Sequence, residues 1–152
     1  MPSPKDKLAT EFFEFDFFQA VRVLERLAPK RAPVGLDAAP GDEGARFRAH
    51  LLMAFPPSQI VALDTPGEER PHPLPTVTFL GLYGPAGVLP THYTQLLLDI
   101  QRDVRGPERR SLRDWLDLFN HRFISLFYRA WEKYRFHLQY ERGEAFRKEV
   151  DT

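Results

Sequence analysis

Cysteine is absent from the 152 residues, so neither disulfides nor thiolate metal sites can hold this chain together. No apolar run reaches the roughly 18 residues that a membrane-spanning helix needs. The segment from Met1 to Thr10 is polar and lacks the apolar stretch of a secretion signal. An excess of one charge is missing too, since 21 basic and 21 acidic residues cancel. Nucleic acid and anionic membrane both select a basic footprint, so neither is expected as a partner. These absences predict a cytoplasmic chain with no membrane insertion.

What the sequence does hold is aromatic side chains: 13 Phe, 5 Tyr and 2 Trp. The length fits one domain with a real core, and rings in such number serve either that core or a partner surface. Glu11 to Leu27 reads as a helix, with Phe13, Phe17, Ala20, Val21, Leu24 and Leu27 at helical spacing. Phe12, Phe15 and Phe18 fall partly outside that stripe, so a second face is expected to meet something. Prolines and glycines make 30–44 a loop. From Ala45 to Phe55 the pattern alternates: Phe47, Ala49, Leu51, Met53 and Phe55 point one way, Arg46, Arg48 and His50 the other. Further short strands are predicted over 58–63 and 76–83, the latter apolar on both faces and so covered on both sides.

Pro90 suits the first turn of a helix running to about Arg105, where Gly106-Pro107 stops it. A long aromatic helix follows over 112–140, unbroken by Gly or Pro. It would span roughly 42 Å, longer than a compact domain is wide, so part of it should project or pack on a partner. The expected fold is α+β: an N-terminal helix, a small β region of about three short strands, and two C-terminal helices. Residues 1–10 are expected to be disordered, 11–142 to form the folded unit, and 143–152 to be a flexible tail.

Four constellations could carry chemistry. Asp117, His121 and Ser125 share a helix face at i, i+4 and i+8, but a helix interior offers no free N–H groups for an oxyanion hole. The histidines (His50, His72, His92, His121 and His137) are scattered, without the H-x-x-x-H spacing that clamps zinc. Gly81, Gly84 and Gly87 follow a strand and precede a helix, yet G-x-x-G-x-x-G is neither phosphate-binding fingerprint. Arg102, Arg105, Arg109, Arg110 and Arg113 cluster around a helix break, where an acidic protein partner fits better than nucleic acid. No catalytic residue, metal site or cofactor is therefore predicted. The rival readings are a small metal-dependent hydrolase using the histidines and a nucleic-acid-binding adaptor centred on the arginines. The predicted functional residues are instead a partner-binding set: Phe12, Phe13, Phe17, Phe18, Phe119, Phe123, Phe127, Tyr128, Trp131 and Tyr134.

An ordered set of short segments adds a resemblance. It comprises Phe17-Phe18-Gln19-Ala20-Val21-Arg22, Arg46-Phe47-Arg48-Ala49, Leu52-Met53-Ala54-Phe55-Pro56, Val77 to Gly84, Gly87 to Thr94, and Asp117 to Arg122 running on through Ser125 to Tyr134. Together, from about Phe12 to Arg142, they resemble the TssG (ImpH/VasB) family of type VI secretion baseplate subunits. The resemblance implies a structural protein and not an enzyme. It implies a subunit that joins two copies of TssF in a wedge, with TssE and TssK attached and the VgrG spike contacted indirectly. It also implies a place at the cytoplasmic baseplate, docked to the inner-membrane complex. Family members are longer, so the resemblance is to the N-terminal part, without the C-terminal region that contributes to TssK contacts.

Overall fold

A computed structural model describes residues 4–36, 38–67, 71–138, 140 and 141. Residues 4–10, expected to be disordered, form helix α1 (Pro4–Thr10). One apolar residue accounts for it: Leu8 is buried in the main core, and a single leucine in seven residues leaves no periodicity to read. The expected tail at 143–152 lies outside the described residues.

The helix predicted over 11–27 is divided. A 3-10 turn (Phe12–Glu14) precedes α2 (Phe17–Leu27). Asp16 makes the division, because its side chain accepts from the Phe18 N–H at 3.2 Å and caps α2. Gln59 Oε1 satisfies a second free donor, the Phe17 N–H, at 2.9 Å. Phe17, Ala20, Val21 and Leu24 are the buried stripe, at the spacing of a single helix face.

The β region is smaller than the alternation suggests. Strand β1 is Arg48–Ala49, β2 is Ile60–Asp64 and β3 is Leu74–Val77. The sheet order is β1-β3-β2, parallel between β1 and β3 and antiparallel between β2 and β3. Pro75, Thr76 and Val77 are all buried, as a central strand requires. Along the first strand the predicted burial holds at Phe47, Ala49 and Leu51 and then fails: Met53 is 49% and Phe55 95% exposed. The chain has left the sheet before Pro56-Pro57, which cannot donate to a ladder. The third strand ends at Val77, not Tyr83, because the segment after it is held by side chains of α4. Gly84 (φ +92°) permits the close turn there, since a Cβ at this position would strike the His50 carbonyl oxygen.

Helix α3 (Thr91–Asp103) follows Pro90 as expected, and α4 is Glu108–Glu132. The predicted continuation to residue 140 is interrupted. After Lys133 the hydrogen bonds tighten, with Arg135 N–H donating to Glu132 O at 2.9 Å. The chain turns back toward α2, burying Leu138 and bringing Glu141 to Arg22 and Arg26, each pair within 2.8 Å. Tertiary contacts, not Gly or Pro, end this helix.

Candidate interaction surface

Helix α4 is buried on its polar side. Its buried residues are Leu116, Asn120, His121, Ile124, Ser125, Tyr128 and Glu132. The sequence of the facing segments explains the choice. They are irregular backbone or a sheet edge, whose N–H groups need partners once water is excluded.

Two of those partners are set by a match of repeats. Strand β1 pairs with β3 on one side only, so the N–H groups of Phe47 and Ala49 point away from the sheet. His121 Nδ1 accepts from Phe47 N–H at 3.2 Å and Asp117 Oδ1 from Ala49 N–H at 3.4 Å. Four residues along a helix advance about 6 Å, and two along a strand about 6.6 Å. The pair at i and i+4 therefore covers this edge as a neighbouring strand would.

The remaining inward side chains fasten the loops. Asn120 is fully buried; its Oδ1 accepts from Leu82 N–H at 2.8 Å and its Nδ2 donates to Asp117 Oδ1 at 2.9 Å. Tyr83 donates its hydroxyl proton to Asp117 Oδ1 at 2.7 Å and accepts from Arg113 Nε at 3.2 Å. Burial pushes the Asp117 carboxyl up, opposed by the hydrogen bonds from Tyr83 and Asn120 and by the Arg113 charge. Tyr128 donates to Glu25 Oε2 at 3.2 Å, while Glu25 Oε1 accepts from Val34 N–H at 2.9 Å.

This arrangement disposes of the catalytic trio. The Ser125 hydroxyl donates to the His121 backbone carbonyl at 2.7 Å, one turn back in its own helix. The His121 ring is engaged instead by Phe47 and lies 3.0 Å from Glu43 Oε2 through Nε2. That approach is off the line of a hydrogen bond, and the oxygen has no hydrogen-bond partner among the described residues. Burial accordingly pushes the Glu43 carboxyl up.

Burial, with Arg46 and Arg122 adding, lowers His121 from 6.5 to about 4. The folded chain thus binds this proton less readily than the unfolded chain. The contribution of neutral His121 is complete above pH 6.5 and is lost as pH falls from there toward 4. Glu43 acts in the opposite sense and offsets part of it. A net loss of roughly 1–3 kcal/mol between pH 7 and 4.5 is expected from urea unfolding. The His121→Gln variant should show a flatter pH profile.

The glycine turn is likewise consumed internally. Val88 and Leu89 N–H groups donate to the Gly81 and Leu82 carbonyls, Gly87 N–H to Gly84 O, and Gly84 N–H to Thr94 Oγ1. No cradle of N–H groups is left there for a phosphate. Among the described residues no group of three or more His, Asp or Glu side chains is placed to hold a metal ion.

With its polar side inward, α4 turns its apolar stripe to solvent. Trp115, Leu118, Phe119, Phe123, Leu126 and Phe127 are each 42–55% exposed. They follow one another at steps of 3, 1, 4, 3 and 1, an open side between three and four turns long. The exposed part amounts to roughly 500 Å² of apolar surface. That lies at the upper end of what a monomer leaves uncovered.

The predicted aromatic set is divided by this geometry. Phe17 and Tyr128 are core residues, each 1% exposed, and so are corrected out of a partner surface. Phe12, Phe18 and Trp131 are partly buried against that core. Phe18 and Trp131 stack at 4.4 Å and 11°, and the Arg135 guanidinium caps the indole at 4.6 Å. Phe119, Phe123 and Phe127 lie on the open stripe; Phe13 and Tyr134 are exposed outside it. Trp115, Leu118 and Leu126, which are not in the predicted set, also belong to the stripe. Their signal was a second period: a polar series at 117, 120, 121, 125, 128 and 132 running opposite the apolar one.

A family model described as "Type VI secretion, TssG" matches residues 11–150. No curated protein and no solved structure matches the chain.

Proposed function

The chain belongs to the TssG family of type VI secretion proteins and has a baseplate role; from that premise we propose that it is a structural wedge subunit joining two copies of TssF. TssE and TssK attach to the same wedge, and the VgrG spike is reached indirectly. The proposed location is the cytoplasmic baseplate, docked to the inner-membrane complex. No helix among the described residues is long and apolar enough to cross a membrane.

The observation that carries the reading is the outward aromatic stripe of α4. A helix whose polar side is buried and whose apolar side is open has its faces assigned for two different contacts. The exposed area is over half of the roughly 800 Å² that one partner contributes to a stable interface. Rings at helical spacing are the residue types that dominate such contacts. The proposed partner-binding residues are therefore Trp115, Leu118, Phe119, Phe123, Leu126 and Phe127.

Co-expression with TssF followed by size-exclusion chromatography tests the proposal. The two proteins should co-elute. A folded, soluble chain that never co-elutes with TssF would remove it.

A further inference from the structure

A cavity of about 240 Å³ lies beside the start of α4, and four arginines are among the residues that line it. Arg48 comes from β1, and Arg109, Arg110 and Arg113 from the first two turns of α4. Asp64 and Asp114 also line it, so four positive and two negative side chains leave a formal excess of two positive charges. The acids do not quench the outer pair. Asp64 is held by Arg48 at 3.1 Å. Arg113 is turned inward to the Tyr83 hydroxyl. Among the described residues neither Arg109 nor Arg110 has an ion pair, with Asp114 or any other side chain. The neighbouring His50 feels the same field: burial lowers it first, then Arg113 and Arg48.

We propose that this cleft is a carboxylate socket that receives an acidic side chain of a protein partner. The cleft is smaller than the roughly 300 to 1,000 Å³ of most cofactor sites. The chain as a whole is neutral, and a polyanionic backbone needs a wide basic face that it lacks. A carboxylate matches the charge, and arginine holds such a group through paired N–H donors. The socket rests on the assembly reading and adds what the aromatic stripe cannot. Apolar contact is non-directional, whereas a charge seated at one end of the interface fixes register. Asp114 borders the cavity and Trp115, the next residue, begins the stripe, so one partner can fill both.

The test is the double variant Arg109→Glu with Arg110→Glu, at side chains that make no hydrogen bond or ion pair among the described residues, so thermal unfolding should match the parent. Its affinity for TssF should fall at least tenfold in 0.1 M NaCl, and the difference should shrink in 0.5 M NaCl. Unchanged affinity in low salt overturns the proposal. If the parent chain does not bind TssF, the wedge reading fails by itself, and the socket is decided separately. In that arm the arginine Nε–H signals are followed by NMR while a blocked triglutamate peptide is added. Shifts at Arg109 and Arg110, absent from the variant, support the socket. No shifts, or equal shifts with inorganic phosphate or a short DNA oligonucleotide, overturn it.

Discussion

Replacing Asn120 with leucine is expected to cost the chain roughly 3 kcal/mol, although leucine is the more apolar residue and shares the branched side-chain skeleton. Asn120 is fully buried and is used through both ends of its amide. Leucine would strand the Leu82 N–H and take one donor from Asp117, whose carboxyl is already disfavoured by burial. Each stranded group costs about 1–3 kcal/mol, against a total stability of about 5–15 kcal/mol for a domain. The apolar gain of the leucine is smaller than that sum. At this size the loss should lower the melting temperature by roughly 10 °C. Urea unfolding checks it, and an unchanged midpoint would mean that Asn120 does not face the chain.

The opposite outcome is expected on the other side of the helix. Changing Phe119 and Phe123 together to serine should cost no more than about 2 kcal/mol of stability, because both rings are nearly half in water already. Binding to TssF should fall at least a hundredfold. Two buried aromatic anchors at about 2 kcal/mol or more each give a loss of this order. The isolated chain should also self-associate less, since an open aromatic stripe on a neutral protein has little charge to keep copies apart. Phe127 is left out of this variant because its ring contacts Phe17, Phe18 and Phe79. Cutting it would mix core damage with interface loss.

The existence of α2, α3 and α4 was legible, from helical periodicity punctuated by Pro90 and Gly106-Pro107. The orientation of α4 was not. Apolar stripes usually turn inward, and only the facing backbone shows why this one does not. The edge N–H groups of Phe47 and Ala49 and the loop at Leu82 call for acceptors, and Asp117, His121 and Asn120 supply them. Such demand is set by tertiary placement, which no local pattern encodes. The same limit applies at Lys133, where the helix yields to contacts of Leu138 and Glu141 with distant residues. At Met53 and Phe55 the alternation continues in sequence after the sheet has ended. The Asp117–His121–Ser125 face was legible as a polar stripe, and its use as a cover for a strand edge was not.

Hydroxyl-radical footprinting of the chain, alone and with TssF, tests the inverted helix most directly. Trp115, Phe119 and Phe123 should be oxidised readily in the free chain and protected in the complex, while Tyr83 and Tyr128 stay protected in both. Protection of Trp115, Phe119 and Phe123 in the free monomer, or equal oxidation with and without bound TssF, would contradict the account.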